Sequence, residues 1–284
     1  MSRQSGALFR SLAVAAVAML GPSMPARAAG LPRIASMNVC TDQLLLTLAD
    51  PAQILGLSRY ARDSFQSWAA DDARRYRTLS GGAEDVLVLR PDVVVASLFD
   101  KRSTRELLKE NGLDLVEFAV PRNLDEVKEQ IRRMGDIVGH PDRAAAEIAR
   151  LDDAMAHARQ AVANRRYSVL PLSRRGWVSG SDSLVSSLLT EAGLFNAAGD
   201  LGITFDGYAS LEAIVSLKPD FILVSQAGDR AEDDGSAFLL HPALQRFYPP
   251  ARRIVIPDRL TVCGGVMLAD ALDVLVRELK RVER

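Results

Sequence analysis

Cysteine is nearly absent from this 284-residue chain, and two in all exclude a disulfide-built scaffold. Histidine numbers three. His140, His157 and His241 stand apart, none with a second histidine or a cysteine at ligand spacing, so no preformed zinc or manganese site is expected. His140 and His241 each precede a proline at a helix start and His157 lies on a polar helix face, so all three read as capping or solvated side chains. Neither sign of charge dominates: 35 basic against 36 acidic groups argue against a nucleic-acid partner. There is no G-x-S-x-G, no phosphate-binding glycine loop and no dinucleotide fingerprint, and Ser179 in Gly176-Trp177-Val178-Ser179-Gly180 sits one place too late for a nucleophile elbow. The acidic pairs Asp71-Asp72, Asp152-Asp153 and Asp233-Asp234 fall in helices or polar loops, where they read as solvated faces. What remains is an ordinary foldable composition, 48% hydrophobic and 25% charged, long enough for one large domain or two average ones.

Residues 1–28 read as a secretory signal peptide. Arg3 and Arg10 precede an apolar run at 11–20, and Pro25-Ala26-Arg27-Ala28 offers a small-residue cleavage site. The run breaks at Gly21-Pro22, short of the roughly 20 apolar residues needed to cross a bilayer. The first cysteine, Cys40, follows Met37-Asn38-Val39 rather than a lipid-attachment pattern, so the expected product is exported and soluble. Cleavage removes three arginines and no acid, leaving the mature chain mildly acidic.

Beyond the leader, short β-branched runs alternate with amphipathic helices, which predicts the α/β class with parallel sheets. Strands are expected at 33–37, 93–97, 114–118, 168–172, 221–225 and 253–256. Helices are expected at 42–49, 103–111, 123–138, 142–164, 183–191, 211–217 and 267–283. An internal repeat organises them: 84–97 aligns without gaps on 212–225, each copy reading as a short helix, an L-[RK]-P-D turn and a buried strand. A weaker match sets Cys40-Thr41-Asp42-Gln43-Leu44 against Gly180-Ser181-Asp182-Ser183-Leu184, both with side chains suited to capping a helix. Two similar lobes follow, at 29–140 and 166–284, with a helix at 141–165 between them. In that helix Ala144, Ile148, Leu151, Met155, Ala158 and Val162 form one apolar stripe. The helix expected at 142–164 within that segment has 23 residues and spans about 35 Å, enough to bridge two lobes, although the same stripe would serve a helix covering one lobe. Cys40 and Cys263 are an even count in an oxidising compartment; a disulfide and two separate buried thiols both fit.

These features resemble the periplasmic binding proteins for cobalamin, ferric siderophores and haem that serve ABC importers. The likeness runs from Arg33-Ile34-Ala35-Ser36 and the Thr41-Asp42-Gln43-Leu44-Leu45 helix through both L-[RK]-P-D strands to the terminal helix. It implies two Rossmann-like lobes joined by one long helix, with a ligand cleft between them. It implies a monomeric, non-enzymatic periplasmic receptor, without a cofactor of its own, that hands a ferric siderophore or corrinoid to an inner-membrane permease dimer. It also implies that Glu84 and Glu212, at matching places in the repeat, dock on permease arginines, for which an exposed carboxylate at a helix start is well suited. Strand carboxyl ends should line the cleft. That rule points to Asn38, Tyr60, Arg62 and Phe99 on one wall and to Arg174, Arg175, Trp177, Tyr208 and Gln226 on the other. Aromatic rings beside guanidinium groups suit a large flat chelate. Two other classes compete: an exported enzyme acting on a metal chelate, and a partner-binding scaffold without a ligand.

Overall fold

The computed structural model describes residues 30–163, 165–226 and 234–283; the expected leader at 1–28, Asn164 and Asp233 lie outside them. The first part runs β1 (Ile34–Ser36), α1 (Val39–Leu48), β2 (Ile54–Gly56), α2 (Ala70–Ala73), α3 (Ala83–Leu89), β3 (Val93–Ser97), α4 (Arg102–Glu110), β4 (Leu115–Phe118) and α5 (Leu124–Val138). After α6 (Pro141–Val162) come β5 (Ser168–Pro171), β6 (Trp177–Val178), α7 (Leu184–Glu191), β7 (Phe195–Asn196), β8 (Gly207–Tyr208), α8 (Leu211–Leu217) and β9 (Phe221–Val224). The chain ends with α9 (Asp234–Ala237), α10 (Pro242–Phe247), β10 (Arg253–Val255) and α11 (Leu268–Val282). The two four-stranded sheets are parallel throughout, ordered β2-β1-β3-β4 and β7-β5-β9-β10. Strand for strand, the lobes share one order, and the expected α/β class is what the chain builds.

Each sheet is buried on both faces, which is why its strands read as unbroken apolar runs. Alternate residues point to opposite faces. Ile34 and Val95 of the first sheet join Val169, Leu223 and Ile254 of the second in one continuous core. Ala35, Val94 and Ala96 turn instead toward Val86 and Leu108, while Leu170, Ile222 and Val224 turn toward Ile214 and Leu244. The four short strands β2, β6, β7 and β8 escape the sequence pattern because two or three residues carry no periodicity; their neighbours' pairing makes them strands.

The repeat extends into backbone detail. Arg90 (φ 48°) and Lys218 (φ 52°) end α3 and α8 in the left-handed conformation. The aspartate two places on then accepts a backbone N–H of the adjacent strand segment: Asp92 from Arg33 and Asp220 from Ser168, each at 2.8 Å. The weaker match does not extend this far. Asn38 caps α1 and Ser183 caps α7, taking the N–H groups of Cys40 and Ser186, whereas Asp42 lies fully buried within α1. Its carboxylate accepts from Ser58 N at 3.1 Å and Ser58 Oγ at 2.5 Å. Of the histidines, His241 caps α10 through Nδ1. His140 does not cap; its Nε2 lies 3.2 Å from Asp50 Oδ2.

α6 bridges rather than merely covers. Ala144, Leu151, Met155, Ala158 and Val162 are buried, and the helix packs against α5 on one side and α11 on the other. Close approach is required at Gly135, where an added Cβ would stand 2.5 Å from that of Ala144. Asp270 of α11 accepts from Trp68 Nε1 at 2.7 Å and from an Arg150 guanidinium N–H at 2.8 Å, tying a loop of the first lobe, the bridging helix and the last helix together. Cys40 and Cys263 are bonded, with their Cα atoms 5.3 Å apart. That bond joins the start of α1 to the loop before α11.

Two stability outcomes follow. The disulfide closes a sequence separation of 223 residues, for which chain entropy gives about 5 kcal/mol as an upper figure. Cys40→Ser with Cys263→Ser is expected to lower the denaturant midpoint by several kcal/mol equivalent, checked by urea unfolding; an unchanged midpoint would remove the bond from the stability account. Burial pushes the Asp42 carboxyl from 3.8 up to about 7, against opposing hydrogen bonds from Ser36 and Ser58. Between those values the folded state holds more protons than the unfolded one, so this group's stability contribution is fully present below the lower value and is lost as pH rises through the upper. Asp42→Asn is expected to flatten the fall in thermal midpoint between about pH 4 and pH 7, and a parallel fall in variant and parent would contradict it.

Candidate functional site

A cleft of about 1130 Å³ opens between the lobes at the carboxyl ends of the strands. The segments after β3 and β4 supply Leu98, Phe99 and Ala119–Arg122; the facing wall comes from the β6 region, the start of α7 and the loops at Phe205-Asp206 and 258–264. Loop length explains the geometry: strands of three to five residues end early, so the connections carry the wall.

Of the nine expected ligand residues, Phe99 and Trp177 line the cleft, and Phe99 is 80% exposed. Tyr208 stands behind Trp177 rather than in the lining: it pairs with Trp177 in the two-stranded antiparallel β6–β8 sheet and meets its ring edge to face at 4.9 Å. Asn38 lies deeper, beside a small void at the cleft floor, with its side chain spent on capping α1 and on Asp100. Tyr60 accepts from the Arg59 guanidinium, which also stacks on its ring, and is not among the lining residues. Arg62 is turned toward the carbonyls of Arg74 and Tyr76, bracing its own loop. Arg174 and Arg175 stand exposed on a one-turn 3-10 segment, where Arg175 has φ 58°; Gln226 is exposed at the end of β9. None of these last four is among the lining residues, although Ser173 and Trp177 on either side of Arg174 and Arg175 are.

The structure adds residues that sequence reasoning passed over. Phe65 and Phe205 enlarge the aromatic wall, with Arg122, Asp182, Asp206 and Asp258 among them. Arg122 and Asp258 follow β4 and β10, so the strand-end rule applied to every strand would have named them. Phe65 and Phe205 carry no such signal, since they sit in irregular loops. Across the cleft, Arg122 pairs with Asp182 Oδ2 at 3.1 Å and its guanidinium lies 5.3 Å over the Phe205 ring. Burial raises the Asp258 carboxyl above its ordinary range, opposed by a hydrogen bond with Ser225. Burial likewise raises Asp100, which Ser97 N–H and Asn38 partly offset. The Ser183 hydroxyl is engaged in capping α7 and in donating to the Gly180 carbonyl. Among the described residues, no group of three His, Cys, Asp or Glu side chains is placed to hold a metal ion, and no helix is long and apolar enough to cross a membrane.

The two glutamates stand apart from this cleft chemistry. Glu84 and Glu212 occupy the first turns of α3 and α8, and both are exposed. Hydrogen bonds from its own backbone N–H and from Ser210 hold the Glu212 carboxyl below its ordinary value.

Comparison with known proteins agrees with this architecture. A cobalamin-binding protein of Halobacterium salinarum is 26% identical over 225 residues, 75% of this chain and 59% of the relative, so the chain spans about three-fifths of that relative's length. The apo periplasmic heme-binding protein RhuT of Roseiflexus sp. RS-1 has 25% identity and a TM-score of 0.72, covering 90% of this chain and 100% of its own. The ABC-type Fe3+-hydroxamate transport system structure from Saccharomonospora viridis, at 19% identity over 88% of this chain and 94% of its own, shares the fold with a TM-score of 0.68. The family model described as periplasmic binding protein matches residues 34–253, from the first strand of one lobe to the last strand of the other, and the chain belongs to that family.

Proposed function

We propose that this protein is the periplasmic receptor of an ABC importer for a metal chelate, a corrinoid ahead of a ferric siderophore. The cleft carries this reading. At about 1130 Å³ it exceeds the roughly 300–1,000 Å³ of ordinary small-molecule pockets and suits a ligand of macrocycle size. Its walls offer Phe65, Phe99, Trp177 and Phe205, broad apolar faces for a flat chelate. Haem held through its iron calls for an axial His, Tyr, Cys or Met. None of these is among the described lining residues, which favours a chelate whose metal is already fully coordinated. The cobalamin-binding relative supports the same ranking.

The mechanism needs no covalent step. Chelate enters between the lobes, covers the aromatic wall and displaces water from it. Because α6, α11 and the Cys40–Cys263 bond fix the lobes, little of the binding energy goes into closure. Glu84 and Glu212 then present one carboxylate per lobe to arginines of the permease, a geometry suited to bidentate, charge-assisted pairing. The importer's ATPase supplies the energy.

Titration with cyanocobalamin, ferric siderophores and haemin, read by tryptophan quenching, tests the receptor reading. Trp177→Ala is expected to weaken the preferred chelate about tenfold or more, while Arg62→Ala leaves affinity within about twofold because that side chain serves its own loop. Equal losses in the two variants would place the ligand elsewhere. Glu84→Ala with Glu212→Ala is expected to abolish uptake in cells with the dissociation constant unchanged; uptake at parental rate would remove these residues from docking.

A further inference from the structure

Resting on that receptor reading, we infer that Asp182 sets the charge selectivity of the cleft: by occupying Arg122 it turns the site against chelates with an anionic rim and toward chelates with an uncharged, amide-bearing rim. Arg122 is the one cation among the described lining residues, which also include Asp182, Asp206 and Asp258. A free guanidinium above an aromatic wall would clamp a ligand carboxylate bidentately. Here that position is filled, since Asp182 Oδ2 lies 3.1 Å from the Arg122 guanidinium.

Both ends of the pair are held by backbone. Asp182 N–H donates to Thr204 O at 2.6 Å and Ser181 N–H to Ile203 O at 3.1 Å. Gly180 is pressed so closely against this segment that an added Cβ would fall 1.4 Å from Phe205 O. Asp182 and Phe205, the two groups that Arg122 meets, therefore belong to one rigid unit of the second lobe. From the first lobe, Arg122 N–H donates to Glu126 Oε2 at 2.8 Å, and Asn123 next to it caps α5. The pair is half exposed, with side chains 58% and 47% accessible, so it adds little to stability. Its consequence lies in the field a ligand meets: a carboxylate approaching the Phe205 wall finds a neutralised arginine and the nearby Asp206, and like-charge juxtaposition disfavours it.

The test uses the full-length mature protein, with haemin as the dicarboxylate probe and cyanocobalamin as the amide-rimmed probe, on the parent, Asp182→Asn, Arg122→Gln and the double variant. Asp182→Asn is expected to raise the ratio of haemin to cyanocobalamin affinity roughly fivefold to tenfold. Arg122→Gln in the same chain is expected to cancel the gain, and high salt to shrink it. Circular dichroism checks that each variant folds. The inference is overturned if both probes shift together in Asp182→Asn, if neither shifts, or if the parent prefers haemin; in each case the receptor reading stands because a chelate still binds. Binding of neither these probes nor any ferric siderophore by the parent overturns the receptor reading and this inference with it.

Discussion

Both four-stranded sheets bury one face in the same apolar mass, and the position of each cleft residue follows from that shared core. Ile34 and Val95 on one side, Val169, Leu223 and Ile254 on the other, are linked through α6 and α11 without a solvent gap. Moving one lobe relative to the other would expose this surface at roughly 25 cal/mol per Å². A wide hinge motion is therefore costly, and a preformed cleft is the economical state. The Cys40–Cys263 bond reinforces the same constraint close to the cleft floor, where Val262 and Gly264 flank the bonded cysteine.

The outer layers of the two lobes are independent of that core and repeat each other. Each has a short helix, a basic residue in the left-handed conformation, a proline and an aspartate that fastens the neighbouring strand. This unit fixes where α3 and α8 begin, and so where Glu84 and Glu212 stand. The proposed docking acids thus share their origin with the hydrogen bonds that hold the sheets. The cleft walls do not repeat: the first lobe brings Phe99 and Arg122, the second Trp177, backed by Tyr208, and the Asp182–Phe205 unit. Asymmetric walls on symmetric lobes let one architecture serve ligands of different charge and shape.

Much of the architecture was legible in the residues. The gapless match of 84–97 with 212–225 required two similar units, and the period of Ala144, Leu151, Met155 and Val162 required a long helix with one buried face. These signals survive in sequence because each depends on local periodicity or on a turn whose chemistry is written in three or four adjacent residues. The capping role expected of the 40–44 segment belonged to Asn38 instead, since Asp42 finds Ser58, sixteen residues on, within a buried pocket. A contact across that separation leaves no mark in periodicity.

The site divides along the same line. Phe99 and Trp177 follow strands and were found by that rule, whereas Arg62, Arg174, Arg175 and Gln226 obey the rule and still miss the cleft. Which way a side chain turns after a strand is set by partners distant in sequence, such as the carbonyls of Arg74 and Tyr76 that take Arg62. By itself the sequence determined the fold class, the repeat, the bridging helix and the two candidate cysteines, because each is encoded in neighbouring residues. Only the tertiary structure decided that the cysteines meet, that Phe65 and Phe205 face the cleft, and that Arg122 reaches Asp182 across it, because those are distances between segments that only packing brings together.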